Sequence, residues 1–496
     1  MNLKKKQQVY DDLLKRIKAE EWLYGAKMPS IAILEKEYKV SRITIVGALK
    51  LLKESEYIEQ KRGSGTYVKW RKEDVFFPFL NTGKKRAVEI THSLLGASSL
   101  HRCVMQLLAD CFMKNYTDVS VRFVEFSNST DEDDPYIQKI LRNDTPVCGE
   151  FFWHAIYAKL NALIPLEHLE GFEKLKETLI PQATYPTTDG DGEPHIHAIN
   201  FNIDLPSFLA INRRWAEKID VHIPDHNIGW PVILRLFRHA NRASISQIQP
   251  GGFPIPFLYH GVKSYIEMMG QDVLDSTFNP NSIEGIKKIV FSESAKLTLE
   301  YLKEIADAKQ PWYMQDKLCE HFALGKIGIL PFASSWNQCL YSYLKAKEPV
   351  FVSDMPSFKK GNAYRHFYSG FSLGIFRAGV LSEKQLYAAW NWLKFLFCVF
   401  PQELCSQSMT LPMRNDASPY ISNIYPDIYH LSKHSLKHSQ PQPDFVGMRN
   451  VYSLIGNAIR QFQLRKTGIN ETLERMQNSV CQSIGKTGRD YFTQNS

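Results

Sequence analysis

The sequence predicts an α/β protein in two unequal parts, a small α+β head and a long body in which strands and helices alternate. Three observations carry that expectation. Apolar residues recur at helical spacing along the first 55 residues, and a short basic hairpin pattern follows them. Residues 1–72 hold 17 Lys+Arg against 9 Asp+Glu, a net of +8 that equals the net charge of all 496 residues. Beyond residue 85 the runs RAVEITHS, SSLHRCVMQLLADCFMKNY and DVSVRFVEF read as strand, helix and strand, the order of an α/β layer.

Each element of the head has a local cause. Tyr10, Leu13, Leu14 and Ile17 form the apolar stripe of a first helix, and Gly25 and Pro29 interrupt the chain after it. Ser30 stands at the N-cap of a second helix containing Ile33, Leu34 and Tyr38. Ser41 caps a third, whose stripe is Ile45, Leu49 and Leu52, with Val40 at the place of a hydrophobic staple. Tyr57-Ile58-Glu59-Gln60 and Thr66-Tyr67-Val68 then flank Lys61-Arg62-Gly63-Ser64-Gly65, a turn with two positive charges. Three helices and a hairpin in about 70 residues are the layout of a winged helix, large enough to close its own core. Because the other 424 residues balance at 43 charges of each sign, a polyanionic partner is expected for the head alone.

Composition bounds the rest. Hydrophobic content of 44% and charged content of 23% are globular values. No run of 18 apolar residues occurs, and MNLKKKQQVYDDLLK lacks the apolar core of a secretory signal, so a cytoplasmic protein with no membrane partner is expected. The eight cysteines form no CxxC pair and lie in surroundings such as FLFCVF, the pattern of buried free thiols. His195 and His197 in EPHIHAIN have a spacing that could hold a metal from one strand face. No clear carboxylate or cysteine set accompanies them, so they are taken as structural and no metal or cofactor is assigned. Without a G-x-S-x-G, HExxH or P-loop, no catalytic residue is assigned either.

Four segments of the head resemble the DNA-binding domain of the GntR family of bacterial transcription regulators. They are Gly25-Ala26-Lys27-Met28-Pro29-Ser30, Val40-Ser41-Arg42-Ile43-Thr44, Ala48-Leu49-Lys50-Leu51-Leu52 and Gly63-Ser64-Gly65-Thr66-Tyr67-Val68. The resemblance implies that Ser30, Ser41 and Thr44 hold phosphates, that Arg42 reads a base edge, typically guanine, and that Arg62 reaches the minor groove from the wing tip, with Lys61, Gly63 and Gly65 beside it. Two positions depart from the family, Ala32 and Val46 standing where arginine is common, which should weaken phosphate binding and flatten its salt dependence. Ile43 and Val46 face away from the apolar stripe, where thymine methyls would lie.

Residues 1–70 are thus read as the DNA-binding head, 71–85 as a linker and 86–496 as one two-lobed unit. The body resembles extracellular solute-binding proteins of the sugar-transport kind. Five stretches in order carry that resemblance: Phe112 to Val121; Leu209 to Trp215 with Ile223-Pro224 and Gly229-Trp230; Phe322 to Ile329 followed by Ser334-Ser335-Trp336; Ala388 to Leu396; and Leu411-Pro412-Met413-Arg414-Asn415. It implies a periplasmic-binding-protein-like domain closing on a small molecule, of the carbohydrate class, around a hinge. Rings that stack on sugar faces and polar groups at strand ends make His92, Ser93, Trp153, Trp230, Trp336 and Tyr368 the candidate ligand contacts.

The alternatives are a pyridoxal-phosphate aminotransferase-like body, a smaller LacI-type sensor, and a transport receptor. Asn279-Pro280-Asn281 and Ser357-Phe358-Lys359-Lys360-Gly361 resemble aminotransferase segments, but no acidic partner for the pyridine nitrogen accompanies them. A LacI-type sensor is too short for the chain, and the basic head argues against a transport receptor. The expected protein is a homodimeric regulator on a palindromic double-stranded operator, controlled by a sugar.

Overall fold

A computed structural model describes residues 2–18, 21–22, 26–55, 57–61, 65–69, 87–95, 99–126, 135–204, 208–223, 228–242, 249–251, 259–275, 278–279, 282–307, 321–322, 324–333, 350–358, 362–406, 410–418, 422, 426–445 and 447–484. It divides into two compact units, residues 1–85 with 114–117, and residues 86–113 with 118–496.

The first unit is the winged helix. Helices α1 (Asn2–Lys18), α2 (Ile31–Tyr38) and α3 (Arg42–Glu54) precede strands β1 (Ile58–Lys61) and β2 (Gly65–Val68). Val9, Leu13 and Ile17 of α1 meet Leu34 of α2 and Ile45, Ala48, Leu49 and Leu52 of α3 in one apolar core, closed by Met28, Ile58 and Val68. Burial at every fourth residue of α1 is what a single face of a 3.6-residue helix provides. Tyr10 and Leu14 only flank that core, and Ile33 is 55% exposed. The wing is antiparallel, Ile58 opposite Val68 and Lys61 opposite Gly65. Residues 26–28 join its far edge through Val68 N–H to Ala26 and Met28 N–H to Thr66. Gly65 has φ +135, a conformation costly for any residue with a Cβ. Off the core, Arg16 ties α1 to α2, donating to Glu37 and to the Tyr38 hydroxyl, which itself donates to Asp12.

The second unit is a two-lobed α/β domain. In the first lobe β3 (Val88–Leu95) lies between β4 (Val119–Phe126) and β5 (Cys148–Phe151), parallel to both. Ser372–Ile375 runs antiparallel beside β5, and Ala198–Asn200 beside that. Helix α4 (Ser99–Asn115) buries Met105, Leu108, Ala109 and Phe112, spaced at three and four residues. The helix Glu383–Leu396 is buried on nearly all sides along its second half, and its start is capped by the Ser382 hydroxyl accepting from Gln385 N–H.

The second lobe has its own sheet, in the order Gln249–Gly251, Ile327–Ala333, Phe208–Asn212 and Val350–Asp354. Its core joins that sheet to the helices Trp230–Arg242, Tyr259–Met269, Ile283–Val290, Glu293–Asp307, Met448–Gln463 and Ile469–Ile484. The chain is in the first lobe at Asp204 and in the second at Phe208, returns through Ser369-Gly370-Phe371, and changes lobe a third time between Asn415 and the helix Pro426–Leu436. A Cβ on Gly370 would lie 1.8 Å from the Asn202 carbonyl oxygen, so only glycine lets the first two crossings run side by side. Among the described residues no helix is long and apolar enough to cross a membrane.

Candidate functional site

In the head, α3 carries its apolar stripe inward and thereby turns Arg42, Ile43 and Val46 outward; Ile43 is 82% and Val46 43% exposed. Exposure of two aliphatic side chains on one polar face is the kind of surface that groove methyls can cover. Ser30 caps α2, its hydroxyl accepting from Ile33 N–H at 3.4 Å. Ser41 occupies the N-cap of α3 with extended backbone, but its hydroxyl does not cap as expected from sequence. It lies 3.1 Å from the Thr44 hydroxyl instead. Thr44 itself is only 5% exposed. Ala32 is exposed on α2. Lys61 closes β1 and Gly65 opens β2, whereas Arg62 and Gly63 lie outside the described residues.

In the body, the residues around the crossings form a small recess lined by Phe152, Tyr185, Asn200, Tyr368, Gly370 and Gln442, among others. Four of them come to the recess from a strand end or the loop beyond it: Phe152 follows β5, Asn200 ends its strand, Tyr368 ends His366–Tyr368, and Gln442 follows Ser439–Pro441. Asn200 is held by donating to the Gln182 carbonyl and accepting from Ser372. Phe152 packs on Phe371, ring centres 4.7 Å apart, and Phe371 stacks on His101.

His101 in turn donates to Glu150 at 2.8 Å. Glu150 is fully enclosed; its other oxygen accepts from Leu95 N–H at 3.0 Å, and His92 Nε2 lies 3.7 Å away. Burial alone would raise the Glu150 pKa, but His101, and after it His92, override that and hold it at about 2. Reciprocally, burial disfavours a charged His101 while Glu150 favours it, and the net direction is up. A buried ion pair therefore braces the aromatic rings that reach the recess.

A second set of groups links the lobes. Asp444 of the second lobe accepts from the backbone N–H groups of His154 and Ala155, at 2.9 and 3.0 Å. Burial raises the Asp444 pKa to about 6 against these bonds and Arg449, and lowers that of His154 to about 3, with His197 adding to the fall. Gln442 donates to the Phe152 carbonyl, and the Arg449 guanidinium sits 4.6 Å from the centre of the Trp153 ring. At the second crossing Lys263 donates to Ser369, whose hydroxyl donates to Asp204.

Of the six ligand candidates read from sequence, Tyr368 lines the recess and Trp153 packs between the lobes under Arg449. His92 and Ser93 are completely buried. His92 accepts from the Trp392 indole at 3.1 Å, and Ser93 bonds the Tyr136 hydroxyl at 2.7 Å. Trp230 does not line the recess; it clusters with Tyr301 and Phe358, which also touch each other, in the second-lobe core, 1% exposed. Trp336 lies outside the described residues. Sequence reading missed Phe152, Tyr185, Asn200 and Gln442. Phe152 and Asn200 had a signal, since both close short apolar strand runs.

Residues 5–68 match the family described as bacterial regulatory proteins, gntR family. No curated protein matches the chain by sequence. The body is similar in fold to solved sugar-binding proteins. The GacH receptor of Streptomyces glaucescens, solved unliganded and with acarbose, has a TM-score of 0.62 at 15% identity, over 80% of this chain and 98% of its own. A substrate-binding protein from Listeria monocytogenes in complex with cycloalternan has a TM-score of 0.62 at 15% identity, over 81% of this chain and 100% of its own. Maltose-bound MalE3 of T. maritima has a TM-score of 0.60 at 19% identity, over 79% of this chain and 99% of its own. The aminotransferase-like alternative finds no support in this fold. Pro280, Asn281 and Lys359, which carried it, lie outside the described residues.

Proposed function

We propose, starting from a GntR-family helix-turn-helix domain at residues 5–68 and a solute-binding-protein fold behind it, that the protein is a transcriptional regulator whose hold on DNA is set by a carbohydrate bound between the two lobes. What most supports the ligand class is the recess itself: rings of Phe152, Tyr185 and Tyr368 converge with the amides of Asn200 and Gln442 where the backbone crosses between lobes. Rings cover the C–H faces of a sugar and amides exchange hydrogen bonds with its hydroxyls. The acarbose, cycloalternan and maltose held by the similar structures are of this chemistry.

The recess as it stands has room for about one water, far less than a sugar ring needs. Sugar entry then requires the Asp444 and Gln442 bonds to part, a hinge motion about the crossings. In the head, Arg42 reads guanine, Ile43 and Val46 meet thymine methyls, and Ser30, Ser41, Thr44 and the wing contact phosphates. Two chains place two heads on half-sites about one DNA turn apart, which makes the operator palindromic. Coupling of about 1–3 kcal/mol, or roughly 5–150-fold in operator affinity, is the size expected of such a switch, and DNA must change sugar affinity by the same factor.

The test is calorimetric titration of the full chain with maltose, maltotriose and mannotriose, with and without operator DNA, alongside Tyr368→Ala. The reading requires a saturable sugar that Tyr368→Ala weakens and that shifts DNA affinity. A chain that binds DNA with the same affinity at every sugar concentration refutes the ligand-control part.

A further inference from the structure

We propose that Glu167, His168 and His195 form a binding site for a divalent transition-metal ion, zinc in type, on the first lobe and independent of the sugar recess. One donor atom from each lies within 4.8 Å of the other two. Two imidazoles and one carboxylate are a borderline-soft donor set, matched to zinc rather than to magnesium or calcium. His168 is exposed and the other two are partly so, which leaves an entry path and an open fourth position for water.

The donors are held in place by bonds outside the trio. Glu167 accepts from Ile196 N–H through Oε2, at 3.0 Å, which directs Oε1 toward His195 Nδ1, 2.7 Å away. Two zinc bonds of about 2.0–2.1 Å at a tetrahedral angle need donors about 3.3 Å apart, so that contact opens slightly on binding while donors as far as 4.8 Å apart close in. The other ring nitrogen of His195 faces Asp189 Oδ2 at 3.8 Å. A carboxylate behind a ligating histidine is the usual outer support of such a site. Asp189 is itself fixed, its Oδ1 accepting from the N–H groups of Asp191 and Glu193 at 2.9 Å each in the turn between Thr187–Thr188 and Pro194–His195. His197, the other half of the sequence pair, turns inward, 1% exposed, with Nδ1 2.9 Å from the Thr187 hydroxyl. The pairing is therefore between His195 and residues 28 and 27 positions earlier in the chain, not within EPHIHAIN. On binding, the cation takes the place of the proton between His195 Nδ1 and Glu167, while Nε2 carries a proton toward Asp189.

The experiment titrates chelator-stripped full-length protein with cobalt(II), followed by its visible ligand-field bands, and then displaces it with zinc. The expected result is saturation at one equivalent, with E167Q, H168A and H195A each weakening binding at least about tenfold and D189N by about tenfold. E167Q keeps an oxygen for Ile196 N–H, so its loop remains held. Circular dichroism checks the fold of every variant. Uptake only at millimolar cobalt, or the same isotherm in wild type and the three ligand variants, which would place the ion on other histidines or the cysteines, overturns the proposal.

Discussion

Head and body solve the placement of polar groups in opposite ways. Among the described residues the head buries Thr44 as its polar side chain, and its core is otherwise Leu, Ile, Val, Met and Ala. Its outward-facing DNA candidates Arg42, Ile43 and Val46 are solvated. The body encloses Glu150, Glu267, His92, His154, His366 and Asp444 at 2% exposure or less. A short domain that meets a polyanion keeps its charges outside, where desolvation costs nothing. A larger domain with two packed lobes can enclose charged groups, but only with partners that offset their desolvation.

That contrast can be broken most forcefully at Glu150. Glu150→Ala leaves His101 without its buried partner, and a loss of about 3–5 kcal/mol is expected in the body's denaturant transition while the head's stays unchanged. Equal loss in both units would mean that the two do not unfold separately.

Acid should separate the units by a slightly smaller margin. The Glu150 pKa falls from 4.5 unfolded to about 2 folded, so its contribution is complete above pH 4.5 and lost as pH drops toward 2, on the order of 3 kcal/mol. His154, lowered from 6.5 to about 3, also removes stability as pH falls through that window, because only the unfolded ring takes the proton. Asp444, raised from 3.8 to about 6, opposes it between those two values, so the net loss gathers below about pH 4.5. Near-ultraviolet circular dichroism, dominated by the body's tryptophans, should fade before the head's helical signal.

Operator discrimination by Arg42 comes next. Arg42→Ala should lose about 1–3 kcal/mol of preference for cognate over random duplex in a gel-shift titration, with sugar affinity unaltered. Below that, Ser30→Ala removes a cap from α2 and should cost the head about 1 kcal/mol, read by thermal unfolding. Smallest in stability is Ile43→Ala, within about 0.5 kcal/mol because the side chain is 82% exposed, yet base preference on an operator library should shift at A·T positions. An unchanged library would remove Ile43 from the reading face.

Most of the head was legible because its signals are local, although Tyr10 and Leu14 of the first stripe only flank the core. A cap, a stripe at four-residue spacing and a basic turn all act within a few residues of one another. The stripe Ile45, Leu49, Leu52 is buried as the spacing requires, and the same burial directs Arg42 and Val46 outward. Where local reasoning failed, at the Ser41 hydroxyl, a second hydroxyl three residues on was the competing partner.

In the body, periodicity marked β3, α4 and β4 but not the recess. Phe152, Asn200, Tyr368 and Gln442 are separated by 48, 168 and 74 residues, and only the three crossings bring them together. Trp230 shows the converse: an aromatic residue at a suggestive place in the chain is taken up by a stack with Tyr301 and Phe358. Amino-acid order alone established the winged head, its charge and the α/β alternation behind it, since these follow from neighbours along the chain. The tertiary fold alone decided which rings and amides share a recess, which carboxylates are enclosed and which histidine meets Glu167. Those depend on contacts between segments far apart in the chain, which no local pattern records.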